Sequence, residues 1–558
     1  MPMTALNAAH PVPDRHGGNL FTADASLRAL LPVYLPGKLL AHLQPILHEL
    51  GAQAGGALDT LAGEADRHPP TLSLRSRDGR DEQRVIKHPS YIEMERLAFG
   101  RYALAAISHR QDLLGWQGQL PAIAKYVLTY LFVQAEFGLC CPVSMTDSLT
   151  RTLKKYGDPD LVQRYLPALT SQDLDTLAQG AMFMTEQGAG SDIATTATLA
   201  RPDPLHPGQW LLSGDKWFCS NPDAALAMVL ARVEGDPPGM KGVSLFLLPR
   251  DRDDGTHNAY RIIRLKDKLG TRSMASGEIR LEGASAWLIG ERGRGFAQMA
   301  DMVNNSRLSN GVRAAGLMRR ACTEATYIAR HRQAFGRRLA DLPLMRRQLQ
   351  KIALPAEQAL SMVFQTAQAL QRADAGDDAQ AKALARILTP LVKFRACRDA
   401  RRVTADAMEV RGGCGYIEEW ADPRLVRDAH LGSIWEGTSN IVALDVIRAV
   451  RREGSLQALT SHLEDLLANT GLDPAHSELF QTTLRRATLL TQAAAAEGGE
   501  SLARQAASAL YHLTSAVAMA WEAGRMDTTE RLQLALRVLC HRLLPRDPLS
   551  VTEEGPVT

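Results

Sequence analysis

Apolar residues recur with the period of a helix over most of the chain. Stripes of leucine, alanine and other apolar residues, spaced three or four positions apart, place their side chains on one face of an α-helix. The pattern therefore predicts helices up to about residue 179 and again from residue 296 onward, each stripe packed in a core. The clearest stripes lie in residues 121–142, 317–328, 456–466 and 532–543.

Between residues 180 and 292 the pattern changes to short apolar or alternating segments. Gly, Pro, Asp and Asn separate these segments, which is typical of strands joined by turns. The segments are residues 210–212, 227–231, 243–248, 262–265 and 278–281. The sequence therefore predicts an α+β protein with an N-terminal helical domain (1–179), a β domain (180–292), a helical bundle (293–452) and an additional helical domain (453–558).

Length and composition agree with several globular units. A chain of 558 residues has room for about three or four domains. With 45% hydrophobic and 22% charged residues it is neither disordered nor collagen-like, and a net charge of +3 gives no argument for nucleic acid. The N-terminal residues 1–19 lack a signal-peptide core, and the apolar stretch 122–133 is too short to span a bilayer. We expect a cytoplasmic protein with no membrane contact.

The cysteines favour a reducing compartment. Their number, seven, is odd, and no two have the spacing of a redox motif. We expect reduced, buried thiols. No Cys/His cluster has the spacing of zinc ligands, so the sequence predicts no metal site.

Two segments at the start of the β domain are candidates for ligand binding. In residues 184–192, Gly188 and Gly190 allow close approach of the main chain to a ligand, and the loop N–H groups and hydroxyls suit phosphate. In residues 214–221, two aromatic residues beside a hydroxyl suit a planar ring. Taken alone, the first is more typical of a tight turn and the second of a strand with core aromatics.

Three further segments lie in the helical bundle. Residues 330–336 place arginine next to phenylalanine, which suits a phosphate-bearing aromatic ligand or a solvated basic face. Residues 409–416 contain a glycine-rich turn. In residues 433–440, Glu436 stands between tryptophan and glycine; burial there would raise the pKa of its carboxyl group, which suits a general base. A lone glutamate is otherwise typical of a protein surface.

The order and spacing of these five segments resemble the acyl-CoA dehydrogenase family over residues 90–450. The resemblance implies an N-terminal helical domain, a middle β domain and a C-terminal four-helix bundle, assembled as a homotetramer. It implies FAD between the β domain and the bundle, completed by a neighbouring subunit. The residues that it assigns to FAD are Met184, Thr185, Gly190, Ser191, Phe218, Cys219, Ser220, Arg332, Phe335, Arg411, Gly412, Gly413, Gly437, Thr438 and Asn440.

The resemblance also implies the chemistry. Glu436 matches the base that removes the α-proton of an acyl-CoA or similar thioester while a hydride passes from the β-carbon to flavin N5. Arg307 is expected to contact the substrate. Some relatives place the base on the helix that here carries Ser306 and Arg307, which offer no carboxylate. The electron acceptor is not identified by these residues.

Features outside the common core resemble the AidB subfamily, the alkylation-response flavoproteins. They are residues 18–21, 138–146 and 265–273, together with the tail after residue 452. This subfamily implies an alternative function: a flavoprotein with weak dehydrogenase activity that binds DNA in an alkylation-damage response.

The charge of the tail argues against that alternative. Residues 448–558 contain eleven Arg, no Lys and thirteen acidic residues, a net charge of −2. DNA-binding domains usually carry a basic excess. Arginines 451, 452, 485 and 486 form the densest basic pairs. We expect the tail to serve packing or assembly more than DNA binding.

Overall fold

The fold is described from a computed structural model of the chain, which covers residues 12–376, 378–526 and 528–549. The outer ends of the first and last predicted domains, residues 1–11 and 550–558, lie outside the described residues. The predicted boundaries near residues 179, 292 and 452 fall between secondary-structure elements. The α+β order of helices, strands and helices is confirmed.

Helices dominate the N-terminal part, as predicted. Asn19 and Asp24 begin two of them by accepting hydrogen bonds from the free N–H groups of the first turn. The α-helices of the described N-terminal part are α1 (Leu20–Ala23), α2 (Ala25–Tyr34), α3 (Gly37–Gly55), α4 (Ala57–Arg67), α5 (Pro89–Glu95), α6 (Ala122–Phe132), α7 (Cys140–Tyr156) and α8 (Pro159–Leu169).

The apolar helix period predicted in residues 121–142 is shared by two helices. The apolar period is correct, but the helix is interrupted between α6 and α7. Inside the break, the buried Glu136 carboxylate accepts hydrogen bonds from the Leu139 N–H at 2.9 Å and the Ser273 hydroxyl at 2.8 Å. A Cβ at Gly138 would lie 2.7 Å from the Ser273 hydroxyl. Contact with the β domain, which periodicity does not encode, therefore divides the helix.

An antiparallel hairpin within the N-terminal part was not predicted. Strands β1 (Thr71–Arg75) and β2 (Asp81–Ile86) pair with Leu72 opposite Val85. Val85 packs against the β domain, and the Gln83 side chain accepts a hydrogen bond from the Ile262 N–H at 2.8 Å. The hairpin has too few apolar residues to be recognised as sheet, because it depends on the β domain for its core.

The β domain is a closed barrel. Within residues 180–292, all of which the structure describes, six strands follow the order β3-β6-β4-β5-β9-β7, and a seventh, β8, pairs with β9. Since β6 also pairs with β7, the sheet closes on itself. The strands, each predicted segment among them, are β3 (Gly180–Phe183), β4 (Leu199–Pro202), β5 (Gln209–Ser220), β6 (Leu226–Val233), β7 (Val243–Pro249), β8 (Tyr260–Leu265) and β9 (Ser276–Ile289).

The bundle is built on three long helices, α9, α10 and α11. Its fourth side is divided into α12, which packs on α9 and α11, and α13, which packs on α11. A short ribbon, β10 (Gln333–Ala334) and β11 (Arg337–Arg338), joins α9 to α10. The bundle helices are α9 (Gly295–His331), α10 (Pro343–Ala375), α11 (Ala379–Arg411), α12 (Ala421–Gly432) and α13 (Ser439–Arg452).

The tail packs on the bundle of its own chain. Helix α16 contacts α2, α10, α11 and α13, while α15 and α17 lie against α16. The leucine stripes predicted from the sequence face this interface: Leu459 and Leu463 are buried, as is Leu539. The tail helices are α14 (Ser455–Ala468), α15 (Pro474–Ala495), α16 (Ala503–Met526) and α17 (Thr529–Val538).

Buried charges join the tail to the rest of the molecule. Arg531 donates to the Glu522 carboxylate at 2.7 Å and forms an ion pair with Glu357 of α10. Glu522 also accepts a hydrogen bond from the Tyr34 hydroxyl of α2 at 2.6 Å. Although burial opposes ionisation, Arg319 and Arg531 lower the pKa of Glu357 to about 2. We refer to Tyr34, Glu357, Glu522 and Arg531 as the tail network.

Most of the cysteine side chains are buried, as expected. All seven lie in the described residues, and five of them are buried. Burial raises the pKa of the Cys141 thiol on α7 and of the Cys397 thiol on α11 to about 11. Such thiols stay protonated at neutral pH and are poor nucleophiles.

The part of the chain that the structure describes contains neither a candidate membrane span nor a candidate metal site. No helix there is long and apolar enough to cross a bilayer. Nor do these described residues contain a group of three or more His, Cys, Asp or Glu side chains arranged to hold a metal ion.

Candidate functional site

Glu436 lies in the bend that divides the fourth side of the bundle. Its φ is +54° and that of Gly437 is +99°, so two successive residues adopt left-handed conformations. Glutamate rarely does so, and such backbone persists only where its surroundings hold it. At position 437 the positive φ favours glycine, and a Cβ there would also be tight, at 3.2 Å from the side chains of Ile441 and Val442. The bend turns the Glu436 side chain toward α9.

The Glu436 carboxylate is held by two side chains of α9. The Ser306 hydroxyl donates a hydrogen bond to one oxygen, and the Asn310 amide donates to the other. The two donors are four residues apart, so they lie on one face of the helix. The carboxylate is thereby fixed in position by neutral hydrogen-bond donors.

Two cations hold the main chain of the same bend. Arg307 donates to the Glu436 carbonyl at 3.1 Å and pairs with Asp445 of α13 at 2.7 Å. Lys393 of α11 donates to the Gly437 carbonyl. Burial lowers the pKa of the Lys393 ammonium to about 8. The Arg307 side chain thus binds groups of its own chain, which differs from the substrate contact implied by the resemblance. Its position on α9 places it against the main chain of the bend and Asp445.

A buried arginine of α9 packs against Trp435, the residue before Glu436. The Arg313 guanidinium lies 4.7 Å from the ring centre of Trp435 and 5.4 Å from that of Phe137. Among the described residues, no oxygen accepts a hydrogen bond from its two terminal nitrogens, and the Trp435 indole nitrogen and the Asn310 amide oxygen have no hydrogen-bond partner there. These buried polar atoms cluster at the base, where a ligand is expected to bind.

The loop of residues 184–192 is anchored by Glu186, for which the sequence predicted no role. The Glu186 carboxylate is buried and accepts hydrogen bonds from the Lys216 ammonium at 2.7 Å and from the Thr198 hydroxyl at 2.6 Å. Although burial opposes it, Lys216 lowers the pKa of Glu186. Around this anchor Gly190 and Ser191 are exposed, and Met184 and Thr185 are half-buried.

The neighbouring strand β5 turns alternate side chains to opposite faces. Phe218 is 58% exposed and Ser220 is half-buried. The Cys219 side chain is instead buried in the barrel core, so the expected contact of its side chain with FAD is not supported and only its main chain remains available. The Lys266 ammonium lies over the ring of Trp217 at 3.4 Å.

Arg332 and Phe335 lie in the ribbon after α9. Arg332 donates to the Arg411 carbonyl at 2.9 Å, and a Cβ at Gly412 would lie 3.4 Å from its guanidinium. Phe335 is 91% exposed. The neighbouring Gly412 and Gly413 are also exposed.

The Arg411 side chain does not belong to that surface. It is buried and pairs with Glu324 at 2.7 Å and Asp422 at 2.6 Å, with Trp420 against its guanidinium. Because the side chain is buried in these contacts, the implied contact with FAD is not supported for this residue. Arg411 instead fixes the start of the glycine turn.

Thr438 and Asn440 begin α13. Thr438 is the residue at the N-terminus of the helix, and its side chain does not cap the N–H groups there. The Asn440 amide oxygen accepts a hydrogen bond from Arg504 of α16 at 3.3 Å. The tail therefore contacts a segment assigned to FAD, although it carries none of the flavin motifs.

The residues present fit FAD. Exposed aromatic surface at Phe218 and Phe335 suits a ring system, and the open loop at Gly188 and Ser191 suits phosphate, since nothing lies within 4 Å of a Cβ at Gly188. Unpartnered buried polar atoms also lie beside Glu436, on Asn310 and Trp435.

The motif around Glu436 predicted a candidate base but did not predict the residues that hold its carboxylate. Glu186, Asn310, Arg313 and Lys393 were missed. A signal existed for α9, since Ser306, Asn310 and Arg313 recur three and four residues apart on one face and are all polar. Polar residues at helix-core spacing indicate a site more than a core.

Asp428 makes stability depend on pH. It accepts a hydrogen bond from the Thr271 N–H at 2.6 Å, and burial, with Glu136 and Asp66 nearby, raises the pKa of its carboxyl group to about 7. Between about pH 4 and 7 the folded state holds a proton that the unfolded state has lost, so stability falls as pH rises.

We expect Asp428→Asn to remove this loss. The variant should match the wild type near pH 4 and be more stable at pH 8, by up to about 4 kcal/mol. Urea denaturation at both pH values measures it, with the exposed Asp175→Asn as the matched control. Equal pH dependence in both variants would contradict the assignment.

Three family models match the chain. The acyl-CoA dehydrogenase middle domain matches residues 181–284, and the acyl-CoA dehydrogenase C-terminal domain matches residues 293–451. The N-terminal domain of the adaptive response protein AidB matches residues 11–176. Together they cover the N-terminal part, the β domain and the bundle.

Relatives match over most of the chain. AidB of Escherichia coli (strain K12) is 32% identical over 510 residues, 88% of this chain and 90% of AidB. Among solved structures, the apo form of Bd2924 is 31% identical with a TM-score of 0.84, covering 92% of this chain and 99% of Bd2924. Caenorhabditis elegans ACDH-11 in complex with C11-CoA is 27% identical with a TM-score of 0.90, covering 98% and 95%. By these similarities and by its matching domains, the chain belongs to the acyl-CoA dehydrogenase family.

Proposed function

We propose that the chain is an FAD-dependent oxidoreductase that dehydrogenates an acyl thioester between its α- and β-carbons, with Glu436 as the base. The observation that carries the proposal is the Glu436 carboxylate, fixed by Ser306 and Asn310 beside unpartnered buried polar atoms. Family membership supports the reaction class. An acyl-CoA substrate is supported by the similarity to ACDH-11, which was solved with C11-CoA.

Residues of this chain account for the removal of the α-proton of the thioester. One Glu436 oxygen takes the α-proton of the bound thioester. The Ser306 hydroxyl both donates and accepts hydrogen bonds, so it can serve the carboxylate before the transfer and the carboxylic acid after it. Arg307 and Lys393 hold the main chain of the bend throughout, which keeps the base in place.

FAD is the cofactor, and it supplies the acceptor for the hydride. Met184, Thr185, Gly190 and Ser191 would hold it on one side, with Phe218 and Ser220 of β5. Thr438 and Asn440 would hold it from α13. A separate electron acceptor is needed for each turnover.

A homotetramer is proposed on the exposed apolar surface of the bundle. Phe335 is 91% exposed, and Tyr416 and Ile417 are exposed beside the glycine turn. Large apolar groups clustered on a surface mark an interface. A second subunit would cover them and complete the FAD site with Arg332 and Phe335.

DNA binding in an alkylation-damage response, the alternative, has less in its favour. Arg451 is engaged with the Ala495 carbonyl at 2.7 Å, and Arg485 with Glu478 at 2.8 Å. Two of the four arginines are thus committed within the chain. Gel-shift titrations at two salt concentrations test it: tight, strongly salt-dependent binding would favour the alternative.

Anaerobic mixing tests the proposed reaction. The protein, supplied with FAD, is mixed with saturated acyl-CoAs of increasing chain length, and the flavin absorbance band at ~450 nm is followed. We expect at least one acyl-CoA to bleach the flavin. The matching thioether, which lacks the carbonyl that acidifies the α-proton, should not. The proposal would be contradicted if the protein bound no flavin, or if none of the thioesters bleached it.

A further inference from the structure

A cavity lies between the bundle and the tail, and none of the residues assigned to FAD or to the base lines it. Its volume is about 240 Å³, well above what one water molecule needs. Helix α10 forms most of its wall, and α11 and α14 contribute one side chain each. Six of the side chains that line it are those of Gln365, Gln368, Gln371, Arg372, Leu384 and His462.

The wall on α10 is polar. Gln365, Gln368 and Gln371 recur at intervals of three, so they follow one side of the helix. The Gln371 amide oxygen is buried and accepts no hydrogen bond from a described residue. The half-buried Gln368 amide likewise has no hydrogen-bond partner in the part of the chain that the structure describes. Because leaving buried amides unpaired is costly, the contents of the cavity must supply their partners.

A chain of hydrogen bonds orients the imidazole on the wall from α14. The Tyr34 hydroxyl donates to Glu522 at 2.6 Å and accepts from the Gln365 amide at 2.9 Å. The Gln365 oxygen therefore accepts from Nε2 of His462, also at 2.9 Å. Burial, with Arg372 nearby, lowers the pKa of His462 to about 4. At neutral pH this imidazole is uncharged, and its Nδ1 is a hydrogen-bond acceptor.

These groups define the charge of a matching ligand. Arg372 carries a charge, but it pairs with the Asp378 carboxylate at 3.0 Å. An anionic group would place acceptors against the Gln371 oxygen and the His462 Nδ1, and an ammonium group would offer no acceptor to the amide N–H groups. A hydroxyl group both donates and accepts, so it can pair with each of them.

The other properties of the cavity limit the kind of hydroxyl compound. Among the described residues that line it there is no Phe, Tyr or Trp, so a flat aromatic base has no ring to stack on. At roughly 30 Å³ per water molecule, the volume equals that of about eight waters, which is room for a polyol of five or six carbons. Leu384 can cover part of its carbon chain.

We propose that this cavity binds a small neutral polyol of five or six carbons, which ties the tail to the bundle. The site is independent of the dehydrogenase function proposed above. His462 and Gln365 connect the cavity to Tyr34 and Glu522 of the tail network. A polyol held by both α10 and α14 therefore opposes detachment of the tail.

Two six-carbon compounds that differ in one group test the proposal. Sorbitol is uncharged, whereas gluconate carries a carboxylate in place of one terminal hydroxymethyl group. Each is titrated into the full-length, FAD-loaded protein at neutral pH, and saturation-transfer NMR of the ligand gives the dissociation constant. Sorbitol should bind about 10- to 100-fold more tightly, because the carboxylate sets acceptors against buried acceptors.

Xylitol and myo-inositol extend the test to a shorter chain and to a ring. At least one of the three polyols should bind. Binding has to be measured directly, since polyols also stabilise folded proteins from which they are excluded.

A variant of the cavity wall locates the site. Gln371→Leu keeps a side chain of similar size but removes the amide, and should weaken polyol binding about 10-fold or more. Gln492→Leu makes the same change at an exposed glutamine of α15 and should leave the dissociation constant unchanged. The bound polyol should also slow proteolysis of the tail in the wild type more than in Gln371→Leu at the same polyol concentration.

Three results would overturn the proposal. They are no binding of any of the three polyols, equal affinity for sorbitol and gluconate, and polyol binding that Gln371→Leu leaves unchanged. Water alone would then fill the cavity, or the polyol would bind elsewhere. The comparison of sorbitol with gluconate needs only the wild type, so it stands even if Gln371→Leu does not fold. Flavin bleaching by acyl-CoAs tests the proposed function separately.

Discussion

Replacing Glu436 by Gln is expected to abolish thioester dehydrogenation while leaving FAD bound. Gln fills nearly the same space but cannot take the α-proton. Removal of a general base commonly slows a reaction by ~10²–10⁴-fold. Stopped-flow measurement of flavin bleaching under anaerobic conditions gives the rate, and the flavin-to-protein absorbance ratio gives the cofactor content.

A second variant serves as the control for this prediction. Ser306→Ala keeps the base but removes one of its two hydrogen-bond donors, so it should slow bleaching by less than Glu436→Gln does. Unchanged bleaching in Glu436→Gln would assign the proton transfer to another group. Loss of FAD in that variant would instead give the residue a structural role.

Replacing Arg531 by Met is expected to lower the free energy of unfolding by about 3–5 kcal/mol, the cost of leaving a buried carboxylate without its partner. Glu522 would retain the hydroxyl groups of Tyr34 and Ser361 but lose its cation. The tail should then detach from α2 and α10 more readily. Urea denaturation measures the change in stability, and limited proteolysis locates it.

The matched control is an exposed arginine of the same tail. Arg485 pairs with Glu478 on the surface, and such pairs contribute about 0–1 kcal/mol, so Arg485→Met should be nearly neutral. The double variant Arg531→Met, Glu522→Gln should recover part of the loss, because it removes the uncompensated charge. If Arg531→Met and Arg485→Met had the same free energy of unfolding, the tail network would contribute little to stability.

The sequence was sufficient for the order of helices and strands because each long element carries its own period. The stripe at residues 317–328 lies inside α9, and segment 243–248 lies inside β7. Elements that depend on a distant partner were missed. The hairpin packs Val85 on the β domain, and the break before α7 depends on contact between Gly138 and Ser273.

For the candidate site too, one part could be predicted from the sequence and another could not. Glu436 could be identified from its motif, since its neighbours in sequence are unusual. The directions of side chains could not: Cys219 points into the barrel core, and Arg411 is buried among Glu324, Asp422 and Trp420. Motif matching assigns positions, whereas packing decides which atoms face a ligand.

The hydrogen bond between Tyr34 and Glu522 has a consequence for biosynthesis. The two residues are 488 positions apart. Ribosomes add roughly 5–20 residues per second, so α2 waits about 25–100 s for its partner helix to be made. Throughout that time the leucines that α2 buries in the finished protein lack part of their cover. We therefore expect the nascent chain to expose this face of α2 until α16 is made, and a chain that stops before α16 to leave it without that cover.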